Sequence, residues 1–230
     1  MKKKYLIVVA HPDDETLGCG ALISKLREKK NFIKILFLGE GTSCRFDELT
    51  DIKVIKKEIN KREKFCRNAL KKLKVNDFKF FNLPCGKFDQ IPVLNIAKII
   101  EHEIKKFKPN VIITHSLNDV HVDHKTCYQA CLQASRPSNK NLVEEFYSFE
   151  IPSATDKNFD KPFKPNYFIE ISKKNLKNKI DALKCYKTEI AKHPFSRSTD
   201  LIKNLAMVRG AQCGRFYAEA FKIVRKISKI

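Results

Sequence analysis

The sequence predicts an α/β fold: a single-domain, Rossmann-like three-layer sandwich with a mostly parallel sheet between helices. Three observations predict it. Short apolar runs alternate with longer stretches of helical period along most of the chain. The runs are too continuously apolar for strands with one wet face, which argues for a sheet covered on both sides. The 230 residues, 43% hydrophobic and 31% charged, suit one well-buried domain over 1–230 and do not have the composition of a disordered chain.

The elements follow in order. Tyr5–Ala10 is the first strand candidate, then a helix from about Leu17 to Lys29, a second strand Phe32–Leu38 and a long amphipathic helix Asp51–Lys72. In that helix Ile52, Ile55, Ile59, Phe65, Cys66, Ala69 and Leu70 fall near one face. Asp77–Phe81 reads as a strand, Ile91–Phe107 as a helix, and Val111–Thr114 as a strand entered through Pro109-Asn110. A helix from roughly Val122 to Ala134 and a strand Glu144–Phe149 complete the alternation. Three prolines and few apolar residues make 152–166 a loop. Tyr167–Ile171 resumes as a strand, Lys173–Ala191 as a basic helix, His193–Thr199 as a loop, Asp200–Val208 as a helix and Ala218–Val224 as the last strand. There is no internal repeat and no linker that splits the chain.

Composition narrows the function classes. No run approaches the roughly 18 apolar residues of a membrane span. The six-residue run Tyr5–Ala10 is too short for a signal peptide, so a cytoplasmic protein is expected. The eight cysteines are scattered without a Cys-x-x-Cys pair, which argues for free thiols and against a thiolate zinc site. Cys127 and Cys131, four apart on a helix, are expected to be packed. The formal charge of +20 raises nucleic-acid binding, but 37 lysines stand against 9 arginines and are spread along the chain. Dispersed lysine marks solvated helix faces rather than phosphate and base recognition, so no specific nucleic-acid partner is expected.

Two segments carry chemistry. His11-Pro12-Asp13-Asp14-Glu15 directly follows the first strand, and His115 to His124 follows the strand Val111–Thr114. Ligands of a parallel sheet gather at the carboxyl ends of its strands, where both segments lie. Helix capping accounts for one aspartate, not for a histidine and a second aspartate beside it. The second segment holds His115, His121 and His124, half of the six histidines in the chain. A catalytic zinc asks for three nitrogen or oxygen ligands and an open position, and two histidines with one carboxylate supply them. Adjacent Asp13 and Asp14 can divide the roles of ligand and base.

Ala10-His11-Pro12-Asp13-Asp14-Glu15 and His121-Val122-Asp123-His124 resemble the A-H-P-D-D-E and H-x-D-H signatures of the PIG-L/LmbE family of zinc-dependent N-deacetylases. Arg209-Gly210 through Tyr217-Ala218-Glu219-Ala220-Phe221 is similar to the ending of many bacterial members, so the likeness runs nearly end to end. The resemblance implies His11, Asp14 and His124 as ligands of zinc, with ferrous iron also suited to the set. It implies Asp13 as the base that activates water. His121 would support the oxyanion, with Asp123 orienting it, and either His121 or Asp13 would protonate the leaving amine. Glu40 and Arg45, in the loop Gly39–Arg45, would be sugar contacts. The implied reaction removes an N-acetyl group from an amino-sugar substrate, whether free sugar, glycolipid, glycoside or nucleotide-sugar; a homo-oligomer is compatible with it. One alternative is an amidase acting on a thiol-sugar conjugate, although Asp119 stands where some thiol-sugar deacetylases have tyrosine. Another is a basic nucleic-acid-binding domain carrying a structural metal.

Overall fold

Successive side chains of a strand leave on opposite faces. In β1 (Lys4–Val9), Ile7 and Val9 enter one apolar cluster while Leu6 and Val8 enter another, and all four are inaccessible to solvent. A strand buried on both faces belongs at the centre of a sheet. β1 pairs in parallel with β2 (Phe32–Gly39) on one side and with β4 (Val111–Thr114) on the other. The computed structural model describes residues 2–137 and 143–228; Met1, 138–142 and 229–230, which the expected 1–230 domain includes, lie outside the described residues.

The remaining strands are β3 (Asp77–Leu83), β5 (Glu145–Phe149), β6 (Tyr167–Glu170) and β7 (Ala218–Lys226). All join one sheet in the order β3-β2-β1-β4-β5-β7-β6. The first five are parallel, whereas β7 runs antiparallel to both β5 and β6. Helices α1 (Asp14–Glu28), α2 (Ile52–Lys72), α5 (Lys173–Leu183) and α6 (Thr199–Gln212) contribute to one core cluster with the sheet. Helices α3 (Val93–Phe107) and α4 (Val122–Ala134) build the cluster on the other face. The α/β three-layer sandwich expected from the apolar runs is thus the observed fold. Cys127 and Cys131 are packed as expected, and all eight thiols are free. Among the described residues no helix is long and apolar enough to cross a membrane.

Three helix boundaries differ from the sequence expectation by three residues or more. α1 starts at Asp14 rather than Leu17, because Asp13 turns the chain with φ 118° and its carbonyl already accepts from Thr16 and Leu17. α6 continues past Val208 to Gln212. The helix expected over Lys173–Ala191 stops at Leu183, where the N–H groups of Cys185 and Tyr186 fold back onto carbonyls three residues earlier. Two side chains beyond that point are drawn inward: Tyr186 is fully buried and donates to Glu15, and Glu189 is buried among arginines. Burial of those groups outweighs continued helix on a polar surface.

From β1 the chain runs out through β2 to β3, and from β4 it runs the other way to β5. The order therefore reverses between β1 and β4, which leaves a crevice at their carboxyl ends. His11 follows β1 and His115 follows β4 into that crevice.

Candidate metal centre

Asp14 is the first residue of α1 and lies at the centre of the site. Its Oδ2 stands 3.5 Å from His11 Nδ1 and 3.4 Å from His124 Nε2, and it also accepts the His11 backbone N–H at 2.8 Å. Two ligands about 2.1 Å from a tetrahedral zinc stand about 3.4 Å apart, so these separations fit a shared ion. The other nitrogen of each ring is already engaged. His11 Nε2 meets Asp123 Oδ2 at 2.9 Å, and His124 Nδ1 meets Asp119 Oδ2 at 2.8 Å. Each carboxylate takes the outer N–H of its imidazole and turns the opposite ring nitrogen toward Asp14, as in the carboxylate–histidine pairs that back metal ligands. The donor set and its spacing fit a zinc-type ion.

Electrostatics point the same way. Burial opposes charge on Asp14, yet the imidazoles of His124 and His115 and the hydrogen bond of His11 hold its carboxyl well below the usual range. Burial also opposes charge on His124, but Asp14 and Asp119 raise that imidazole to about 10. The pocket thus demands positive charge between its carboxylates. His115 lies 3.4 Å from Asp14 Oδ2, but its Nε2 accepts the Ala10 N–H at 2.9 Å and has no lone pair to give. It stacks on His124, ring centroids 3.9 Å apart, and fixes that ring's plane.

Asp13 adjoins the trio on a left-handed backbone, a conformation that a non-glycine residue holds only when its surroundings impose it. Those surroundings are two arginines and a glutamate. Asp13 Oδ1 is 3.2 Å from Arg62 Nη2, and Oδ2 is 2.9 Å from Arg197 Nη1. The Glu15 carboxylate accepts the Asp13 N–H at 3.1 Å. Arg62 also donates to the Pro12 carbonyl at 2.9 and 3.0 Å and to the Gly41 carbonyl, tying α2 to the loops after β1 and β2. Gly41 has φ +74°, and a Cβ there would lie 2.9 Å from His11 Cβ. Burial pushes the Asp13 carboxyl up against the pull of the Arg62 and Arg197 guanidiniums.

Glu189 neutralises what remains of the arginine charge. It receives Arg45 through two bonds of 2.9 and 2.7 Å, and it lies 2.9 Å from Arg197 and 3.3 Å from Arg62. Burial would raise this carboxyl, but the three guanidiniums pull it down to about 2. His11, Asp13, Asp14, His121, His124, Arg45, Arg62 and Arg197 all line one cavity of about 220 Å³.

Of the residues singled out from the sequence, His11, Asp13, Asp14, His121, His124 and Arg45 meet in this cavity. Two are placed differently. Glu40 is buried and saturated: it accepts from the backbone N–H groups of Thr42, Ser43 and Cys85 and from the Ser43 hydroxyl. It binds two loops together and offers nothing to a sugar, which corrects the expectation of a substrate contact. The Asp123 carboxylate holds His11 rather than His121, and also accepts from Gly86 N–H at 2.6 Å and Phe88 N–H at 3.1 Å. His121 instead caps α4, its Nδ1 accepting the Asp123 N–H at 3.2 Å. Burial, with the neighbouring imidazoles His124 and His11, lowers that ring to about 4.

The sequence reading missed Arg62, Glu189 and Arg197 and gave Asp119 no such role. Arg62 had a signal: it interrupts the apolar stripe of α2 between Ile59 and Cys66, where an exposed helix does not bury a charge. Glu189 and Arg197 sit in the irregular segment between α5 and α6 and carry no local signature.

Comparison with known proteins identifies relatives of the chain and of its fold. The chain is 23% identical over 231 residues to the diacetylchitobiose deacetylase of Thermococcus kodakarensis, covering 96% of this chain and 83% of that protein. The fold superimposes on N,N'-diacetylchitobiose deacetylase from Pyrococcus horikoshii with a TM-score of 0.78 at 18% identity, over 97% of this chain and 84% of that one. It also superimposes on GalB, the 4-carboxy-2-hydroxymuconate hydratase of Pseudomonas putida, with a TM-score of 0.77 at 19% identity, over 100% and 99% of the two chains. The pattern of the PIG-L family, GlcNAc-PI de-N-acetylase, matches residues 6–135, which hold His11, Asp13, Asp14, His121 and His124 and make up more than half of the chain. The chain belongs to the PIG-L family.

Proposed function

We propose that this protein is a metal-dependent N-deacetylase that hydrolyses the N-acetyl group of an amino-sugar substrate, with zinc held by His11, Asp14 and His124. The observation that carries the reading is the pairing of two carboxylate-backed histidines with Asp14 at tetrahedral spacing, beside a further buried carboxylate in an open cavity. When bound, zinc supplies Lewis-acid chemistry, polarising a carbonyl and making its water acidic. Asp13, which is not one of the three ligands, takes the proton from the attacking water and stands ready to return it to the leaving amine. Arg62 and Arg197 fix its two oxygens, and Glu189 shares their charge so that Asp13 is not the sole counter-ion. His121 accepts at Nδ1, so its ring proton sits on Nε2, available to donate to the oxyanion of the tetrahedral intermediate. Arg45, at the cavity wall, faces the polar groups of the sugar.

The sugar class is supported by the relatives, since diacetylchitobiose is itself an acetylated amino sugar. The hydratase with the same fold shows why fold alone does not decide the reaction. Neither alternative gains support. The nucleic-acid reading draws on arginine, and Arg45, Arg62 and Arg197 are committed to carboxylates of the cavity. The thiol-conjugate reading needs a residue at 119 that faces substrate, and Asp119 is fully buried against His124.

The test is acetate release from a panel of N-acetyl amino sugars by zinc-loaded protein, compared with Asp13→Asn. The variant is expected to keep its zinc and lose about 10²- to 10⁴-fold in kcat/KM, the usual contribution of a positioned base. Full metal together with full activity in Asp13→Asn would overturn the mechanism.

A further inference from the structure

Cys44 and Cys85 come from loops after different strands, yet their sulfurs meet at 3.0 Å. Cys44 lies in the single turn Ser43–Arg45 after β2 and is open to solvent. Cys85 follows β3 and is buried, with its sulfur 3.5 Å from His11 Nε2. Both line the cavity of the metal centre, and the reaction derived above uses neither. The other thiols differ in setting: Cys19, Cys66, Cys127 and Cys131 are buried in the apolar clusters, and Cys185 and Cys213 donate to carbonyls of their own segments.

The meeting of the two sulfurs is built in. Glu40 accepts the N–H groups of Thr42 and Ser43 on one loop and of Cys85 on the other, so one buried carboxylate clamps both loops in register. The next residue, Gly86, donates its N–H to Asp123 Oδ2, the same oxygen that holds His11. A change at Cys85 therefore reaches His11 both directly, through its sulfur, and by way of Gly86 and Asp123.

We propose that Cys44 and Cys85 are a redox-active dithiol that a hydroperoxide closes to a disulfide and a small thiol reopens, switching the adjoining metal centre. In the first step the Cys44 sulfur takes one oxygen from the hydroperoxide, giving a sulfenic acid and, from hydrogen peroxide, one water. In the second the Cys85 sulfur attacks that sulfur; the S–S bond forms, the S–O bond breaks, and hydroxide leaves with the Cys85 proton as a second water. Two electrons pass from the two thiols to the peroxide. Closure displaces residue 85 beside His11 and the Gly86 donor to Asp123, and so loosens the support of that ligand. Excess dithiothreitol returns both thiols by exchange.

The experiment treats the full-length, zinc-loaded protein with a small excess of hydrogen peroxide and maps its peptides by mass spectrometry. A Cys44–Cys85 linked peptide, lighter by two hydrogens and released by dithiothreitol, is expected in the wild type and absent from Cys44→Ser and Cys85→Ser. Zinc affinity of the oxidised protein, read with a chelating dye, is expected to fall about tenfold or more, on the scale of losing a ligand's outer partner, and to recover on reduction. Acetate release, which alone rests on the deacetylase reading, should fall in parallel, whereas Cys44→Ser keeps its own untreated rate after peroxide. Oxidation of Cys44 to sulfinic acid without the link overturns the dithiol. A linked protein with unchanged zinc affinity overturns the switch. If no sugar is turned over, the deacetylase reading fails, while the peptide map and zinc affinity still decide this one.

Discussion

Asp119 does for His124 what Asp123 does for His11: it takes the outer ring N–H and aims the other ring nitrogen at Asp14. Its other oxygen accepts the His121 N–H at 2.8 Å, so one side chain orders both histidines of the second motif. Asp119→Ala is expected to weaken zinc binding about 10- to 100-fold, measured by competition with a chelating dye; unchanged affinity would show that the histidine is held by other means. Glu15 offers a second test at this scale. Burial pushes its carboxyl from 4.5 up to about 7, while Thr16 and Tyr186 hydroxyls donate to it. Between those values the folded chain keeps a proton that the unfolded chain has lost. Its contribution is therefore fully present below the unfolded value and is lost as pH rises through the folded one, by on the order of 3 kcal/mol. In metal-free protein, Glu15→Gln is expected to flatten the decline of Tm from about pH 5 to about pH 8; an unchanged slope would refute the assignment. The proposed ligands were legible in the sequence because His11, Asp14 and His124 lie in short local motifs. Asp119 was legible only as a departure from a motif, since its partner is chosen by the turn into α4.

At the scale of elements, the approach of α1 to the sheet rests on Gly18. A Cβ there would lie 2.4 Å from the Phe149 ring on β5, and Phe149 is fully buried. Gly18→Ala is expected to destabilise the protein by about 1–3 kcal/mol, seen as a lower midpoint in urea, despite the better helix propensity of alanine. A midpoint at or above wild type would mean that α1 shifts freely. Elements with a strong apolar pattern, such as β1, β2, β4 and α3, were readable because packing and propensity agree there. The end of α5 was not, because Tyr186 and Glu189 leave the helix for partners on α1, α2 and the loop after β2. The first turns of α2 show the converse: Ile52 reads as core by period, yet it is 59% exposed among the described residues.

At the scale of the whole molecule, two apolar clusters on opposite faces of the sheet hold the fold, and the candidate metal centre lines a cavity outside both. Chelation is therefore expected to lower Tm without unfolding the chain: far-ultraviolet circular dichroism stays native, and excess zinc at 100 times its Kd restores about 2.7 kcal/mol. Collapse of the spectrum on chelation would show that the metal is part of the core. The α/β class, the central strands and the two histidine–aspartate motifs were legible along the chain, because each is written in residues close enough together to be read locally. Only the tertiary structure decided what surrounds the ligands: Arg62 and Arg197 on Asp13, Glu189 between three arginines, Glu40 as a loop clamp, and two sulfurs in contact. The reason is physical. Most of those partners lie from 41 to 184 residues apart, and a charge or thiol acquires its role from whichever group the fold buries beside it.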